Sequence, residues 1–262
     1  MEYRGKTALI TGASGGIGAE FARVLAARGA HLILVARSED KLKALAGDLA
    51  DRHGIRAEVI AADLSAAGAT DDLVDEVDRL GQTVDILVNN AGFGVHADLV
   101  DADPKRIHDQ VALNVGVLTD LTTVFVKRMV QQGSGAIINL SSLAAFQPVP
   151  HLAVYAATKA YVLSFSEALW WECKPHGVKV LALCPGATDT GFFDAAGADG
   201  QAVGPRRSTR QVVETALRAL DAGKPSVVDG LLNLIGAVAS QLAPRRLAVA
   251  VAELAVRPSL RG

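Results

Sequence analysis

Six short apolar runs without polar alternation, at 8–10, 32–35, 59–60, 86–88, 137–140 and 178–183, restrict this chain more than any other feature. Each is followed by a turn and a segment of helical length. A strand covered by helices on both faces has no solvent side to alternate toward, so it reads as a continuous apolar run. Strand, turn and helix in repetition give a series of βαβ units around a parallel sheet. Between the runs, 17–28, 39–53, 69–80, 104–131 and 154–174 have helical length and spacing, and Gly29, Gly54, Gly81 and Gly133 stop four of them. The length, 262 residues, suits one α/β domain, and no linker or fixed-period repeat divides it. Half the residues are apolar but only 5% are aromatic, so the core is expected from Ala, Val, Leu and Ile.

Charge and composition narrow the partners. Lys plus Arg total 26 against 28 for Asp plus Glu, interspersed along the chain, which indicates neither nucleic acid nor an anionic membrane surface. Cys173 and Cys184 stand outside any CxxC or zinc-ribbon spacing and read as two buried thiols in a reducing compartment. The six histidines show no HExxH or other ligand spacing, so no metal is expected; His96 and His151 are placed either beside a substrate or on the surface. The opening residues carry no basic-then-apolar leader. The most apolar stretch, 230–243, is interrupted by Asn233, Ser240 and Gln241 and falls short of the ~20 residues of a membrane span. A soluble, cytoplasmic protein without a transmembrane span is the expectation.

The segment 11–18, Thr-Gly-Ala-Ser-Gly-Gly-Ile-Gly, lies where the first strand ends and the first helix begins. Glycines there admit positive φ and close backbone approach, while the helix N-terminus offers free N–H groups to a pyrophosphate. Gly12, Ser14, Gly16, Ile17 and Gly18 are therefore the candidate phosphate cradle of a dinucleotide site. A steric role for a glycine-rich turn is the competing reading. At the end of the second strand a carboxylate would bond a ribose 2′-hydroxyl and repel a 2′-phosphate. Here Val35-Ala36-Arg37-Ser38 presents no acid, so NADP(H) is favoured with Arg37 as the phosphate partner and NAD(H) remains possible. Arg37 also reads as a solvated surface charge.

Tyr155 and Lys159 stand one helical turn apart on one face. A phenol titrates near ~10, and a unit charge ~4 Å away at an effective dielectric of ~20 is worth roughly 4 kcal/mol, or about three pKa units. Lys159 is thus expected to bring Tyr155 toward neutrality as a proton donor or acceptor. Ser142, upstream, supplies a hydroxyl to hold a carbonyl oxygen. Taken singly, the three also read as a half-buried aromatic, a solvated charge and a turn former.

In order along 6–190, the glycine loop, Asp63-Leu64, Asn89-Asn90-Ala91-Gly92, Asn114, Ser142, Tyr155-xxx-Lys159 and Pro185-Gly186 together resemble the short-chain dehydrogenase/reductase family, in its short single-domain branch. The resemblance implies a Rossmann-type doubly wound parallel sheet flanked by helices, with a C-terminal helical extension. It implies an NADP(H)-dependent oxidoreductase that interconverts a carbonyl and an alcohol, Tyr155 acting as general acid or base. Asn114 would hold a water linking Lys159 to solvent. Asp63 and Leu64 would meet the adenine, Asn90, with Ala91 and Gly92, the adenosine ribose side, and Pro185, Gly186, Thr188 and Thr190 the nicotinamide side. Asn89 and Thr11 look like structural ties. A non-catalytic NADP-sensing protein of the same fold is the alternative, although the catalytic set is whole.

By the same resemblance residues 1–190 form the cofactor and catalytic core; after Thr190 the pattern departs from much of the family, and 191–210, glycine-rich with little periodicity over 191–205, is expected to form a substrate lid. Ser142, Phe93, Phe146 and Phe192 would line a pocket for an apolar carbonyl or alcohol. The tail 231–256 is apolar and helical in character and must cover the pocket, a second subunit or a lipid interface, of which a second copy, in a homodimer or homotetramer, is the first expectation.

Overall fold

Strand residues that alternate sides place two apolar layers on one sheet. In the computed structural model, which describes residues 2–190 and 206–256, Ala8, Ile10, Leu32, Leu34, Val88 and Ile138 face one way. Leu9, Ile33, Val35, Leu87 and Ile137 face the other. Among the described residues the strands are β1 (Thr7–Thr11), β2 (His31–Ala36), β3 (Ala57–Ala61), β4 (Ile86–Asn89), β5 (Gly135–Leu140), β6 (Val178–Cys184) and β7 (Ser226–Val228). They pair in parallel in the order β3-β2-β1-β4-β5-β6-β7. The chain therefore runs outward twice from β1 and β4, a doubly wound sheet whose switch point lies between those two strands.

The first face is covered by α1 (Gly16–Ala27), α2 (Glu39–His53) and α7 (Thr209–Asp221), through Phe21, Leu25, Leu42, Leu49, Val213 and Leu217. The second is covered by α3 (Ala69–Arg79), α5 (Leu118–Gln132) and α6 (Ala153–Cys173), with Leu73, Val77, Phe125 and Met129 in the core. Full burial of each such aliphatic side chain contributes about 1.5–3 kcal/mol. Gly54 and Gly133 end α2 and α5 in the left-handed conformation, as their places in the sequence require.

The helix expected over 104–131 is not continuous. It comprises α4 (Pro104–Val111), a π-helical turn (Ala112–Val117) and α5. The wider turn holds Asn114, which must reach two neighbouring segments at once, and such bulges recur at functional positions. Two elements were not legible as apolar runs: α7, opened by a Ser208/Gln211 capping box, and the three-residue β7. Thr209 and Arg210, the end of the expected lid, already belong to α7; residues 191–205, most of that lid and Phe192 with it, lie outside the described residues. The tail forms α8 (Leu231–Leu242) and α9 (Arg245–Val256). Among the described residues no helix is long and apolar enough to cross a membrane.

Candidate active site

The carboxyl ends of β1, β4, β5 and β6 gather the residues singled out above. After β1, Gly12 and Gly16 adopt φ of 66° and 55°, and no side chain caps α1, whose N-cap is Gly15. A Cβ on Gly12 would stand 2.7 Å from Asn90 Nδ2, and one on Gly18 would strike the Gly12 carbonyl oxygen. The loop is thus tight against β4 on its inner side, while a Cβ on Gly15 would meet open space. An uncapped helix start beneath a glycine turn fits a pyrophosphate, the group that dinucleotide chemistry would place there.

Asn90 does more than border that loop. Its Nδ2 donates to the carbonyls of Thr11 (3.0 Å) and Gly12 (3.1 Å), so the side chain ties β4 to the glycine turn. Thr11 Oγ1 accepts from the Asn90 and Ala91 amides at 3.0 Å each and donates to the Val88 carbonyl. Asn89 lies beneath, in a buried chain: its Nδ2 donates to Thr122 Oγ1 and Asn139 Oδ1, both 2.9 Å, and Asn139 Nδ2 donates to Ser166 Oγ at 3.0 Å. This chain pins β4, β5, α5 and α6 together below the site.

At the far end of β2, Arg37 is exposed, and the nearest acid in sequence, Glu39, is paired with Lys43 at 2.7 Å. Asp63 follows β3 and is also exposed; its Oδ1 accepts from the Ser65 hydroxyl (2.7 Å) and amide (3.0 Å). Those bonds, with smaller help from the Arg37 and Lys105 charges, hold its carboxyl below the usual range. Leu64 beside it is buried.

Three side chains meet at the start of α6. The Ser142 hydroxyl bonds Tyr155 and accepts from the Ala144 amide at 3.1 Å. Lys159 Nζ donates to the Leu140 carbonyl at 2.7 Å and lies 5.7 Å from the centre of the Tyr155 ring. Ser141 Oγ, just past β5, donates to the Lys159 carbonyl at 2.8 Å, holding α6 against the strand. Asn114 is 1% exposed; it accepts from the Phe93 amide (3.1 Å) and donates to the Phe93 carbonyl (2.9 Å) and Thr158 Oγ1 (3.2 Å). Gly92 makes this convergence possible, because a Cβ there would stand 2.8 Å from Asn114 Oδ1 and 3.6 Å from Lys159 Nζ.

The electrostatics differ from the sequence expectation. Burial pushes the Tyr155 phenol up to about 12, against the lowering effect of the Ser142 hydrogen bond, and pushes Lys159 down to about 8. The expected acidification is outweighed by desolvation: Lys159 Nζ stands 5.7 Å from the ring centre, and burial is the largest influence on the phenol.

On the remaining side, Thr188 Oγ1 donates to the Gly186 carbonyl at 3.0 Å, and a Cβ on Gly186 would strike the Asn233 side chain. Sequence reading missed this neighbour: Asn233 Nδ2 donates to the Asp229 carbonyl (2.7 Å), and the buried Asp229 carboxylate receives Arg207 Nε. Thr190 borders the glycine loop, since a Cβ on Gly16 would stand 3.2 Å from its Cγ2. Pro185 is buried and its carbonyl accepts from the Leu143 amide at 2.9 Å, joining the loops after β5 and β6. Phe93 and Phe146 are half-buried on the loops after β4 and β5, and the Arg106 guanidinium lies 4.9 Å from the Phe93 ring centre. His96 and His151 meet at 5.9 Å between ring centres and reach α9: His96 Nε2 bonds the Val256 carbonyl at 3.0 Å, and His151 Nδ1 bonds Asp98 at 2.7 Å.

Comparison with known proteins follows the same lines. The family model described as short chain dehydrogenase matches residues 6–200. The chain is 34% identical to the very-long-chain 3-oxoacyl-CoA reductase of Anas platyrhynchos over 69% of its own length and 59% of that protein, so it spans rather more than half of this relative. A short-chain dehydrogenase from Sphingobium yanoikuyae, solved in complex with NADPH, is 37% identical with a TM-score of 0.81, covering 86% of this chain and 88% of that one. The bulky-bulky ketone specific alcohol dehydrogenase of Comamonas testosteroni is 33% identical with a TM-score of 0.76, covering 86% of each chain.

Proposed function

The chain belongs to the short-chain dehydrogenase/reductase family, and from that premise we propose that it is an NADP(H)-dependent oxidoreductase interconverting a ketone or aldehyde with an alcohol. The observation that carries this reading is the buried Tyr155 phenol, bonded to Ser142 and faced by the Lys159 cation, beside the glycine loop.

The dinucleotide would rest its pyrophosphate over Gly12, Gly16 and the α1 N-terminus, with Arg37 toward a ribose 2′-phosphate and Asp63 toward the adenine. Glu39, the nearest acid in sequence, is held by Lys43, and the Asp63 carboxylate also feels the Arg37 charge. The NADPH bound in the Sphingobium relative supports the same choice here. When bound, the cofactor supplies or takes the hydride.

The chain's own residues handle the oxygen and its proton. Ser142 donates a hydrogen bond to the substrate oxygen, and Tyr155 gives that oxygen its proton in reduction, or removes it in oxidation. A phenolate left at Tyr155 is buried, and Lys159 is the charge that makes it tolerable. The depressed pKa of Lys159 lets it pass a proton near neutral pH, replenishing the tyrosine. Asn114 acts through position: by clamping the Phe93 backbone and Thr158 it sets the spacing between the loop after β4 and the catalytic face of α6.

The half-buried Phe93 and Phe146 favour an apolar carbonyl substrate, and the Comamonas relative is named for bulky-bulky ketones. The test follows NADPH absorbance against a panel of aliphatic, aromatic and polyhydroxylated carbonyls. Turnover of the apolar members supports the reading; turnover confined to sugars or highly charged carbonyls refutes the substrate class. Tight NADPH binding without turnover on any member favours the sensor alternative.

A further inference from the structure

We propose that α8 and α9 form a lipid-docking face that seats this protein against an anionic bilayer surface beside the mouth of its pocket. Both helices are turned inside out for a water-facing surface. Their buried positions are small, with Ala237, Ala248 and Ala252 at most 4% exposed. Their large aliphatics point outward: Leu231, Ile235 and Leu242 on α8, and Leu247, Val251 and Leu254 on α9, are between 55 and 81% exposed. Positions 231, 235 and 242, like 247, 251 and 254, recur at helical spacing, so each helix carries a continuous outward stripe. Soluble monomers rarely leave an apolar area of this extent to water.

The charge around the stripes selects the occupant. The described tail, 231–256, carries two arginines, Arg245 and Arg246, against one acid, Glu253. Arg245 and Arg246 are exposed at the head of α9. Glu253 is turned toward the protein, its carboxylate 3.9 Å from His151 Nε2. A symmetric interface through this face would find no exposed acid on the described tail, 231–256, to pair with Arg245 and Arg246. An anionic headgroup layer supplies the missing charge, and helices of this length lie in the interface rather than spanning it. The whole-chain balance of 26 against 28 averages this local excess away.

The face adjoins the loops after β4, β5 and β6. Ser240 Oγ, on α8, donates to the Phe146 carbonyl at 3.5 Å, Asn233 packs on Gly186, and the α9 terminus bonds His96. Docking itself is independent of the reaction. Its benefit, delivery of an apolar substrate from the lipid to the pocket, rests on the function proposed above.

Vesicle flotation of the full chain tests the docking without any turnover. Vesicles of phosphatidylcholine mixed with phosphatidylglycerol are expected to bind the protein about tenfold or more tighter than phosphatidylcholine alone, with the difference shrinking as salt rises. Arg245→Glu with Arg246→Glu, both at exposed positions, should abolish that preference, and Ile235→Glu with Leu254→Glu should abolish binding to both vesicles while light scattering shows the oligomeric state unchanged. Failure of the wild type to float would overturn the proposal. So would an Ile235→Glu/Leu254→Glu variant that dissociates an oligomer, which would assign the face to a second copy.

Discussion

Replacing Lys159 by methionine separates its charge from its bulk, and the structure sets the size of the effect. Lys159 is 5% exposed, and burial lowers its pKa from 10.5 to about 8. In the unfolded chain the amine binds its proton from about 10.5 downward, whereas the folded protein refuses it until about 8. Between those limits the unfolded state holds more protons, so stability contributed through Lys159 falls as pH is lowered through this window and is level below it. A shift of about 2.5 units corresponds to roughly 3 kcal/mol at 1.36 kcal/mol per unit. The assay is urea unfolding of wild type and Lys159→Met at a series of pH values from 7 to 10.5. Taking the difference cancels titrations common to both proteins, such as that of Tyr3. The wild type should lose about 3 kcal/mol relative to the variant on going from the alkaline end to pH 8, then run parallel to it. A constant difference across the window would refute the claim that burial depresses the pKa of Lys159.

Arg37→Glu should raise the KM for NADPH by roughly tenfold or more and narrow the preference over NADH, because a carboxylate repels the 2′-phosphate that a guanidinium pairs; unchanged cofactor selectivity would place Arg37 among the solvated charges. Gly18→Ala drives a methyl group into the Gly12 carbonyl and the Asn90 side chain, which should cost about 1–3 kcal/mol in stability. It should also weaken cofactor binding by titration more than Gly15→Ala, which meets open space.

Much of the core was legible because double-sided burial leaves an unambiguous trace. The runs at 8–10, 32–35 and 178–183 sit inside β1, β2 and β6, and 39–53 is α2. The loop glycines were legible for a related reason, since positive φ and close approach leave few other residues. What remained hidden was short or composite. β7 has three residues, too few to show periodicity, although Ser208-x-x-Gln211 was a visible signal for α7. The π turn at Ala112–Val117 carries an unbroken helical pattern in sequence; its cause, Asn114 reaching both Phe93 and Thr158, is tertiary. The same limit applies to charge. Spacing placed Tyr155 and Lys159 on one face, but the burial that pushes one pKa up and the other down depends on everything packed around them. Asn90, expected along a ribose, also ties its side-chain amide to the Thr11 and Gly12 carbonyls, a contact that spacing alone does not reveal.

The central claim is that Tyr155 moves the proton while the rest of the site binds and positions. Tyr155→Phe removes one hydroxyl and leaves the ring, the glycine loop and Lys159 in place. Measured against the best carbonyl substrate, with NADPH binding followed separately by fluorescence, the variant should bind cofactor within about twofold of wild type and lose turnover by a factor of roughly 10² to 10⁴. Turnover retained with the phenol gone would contradict the account.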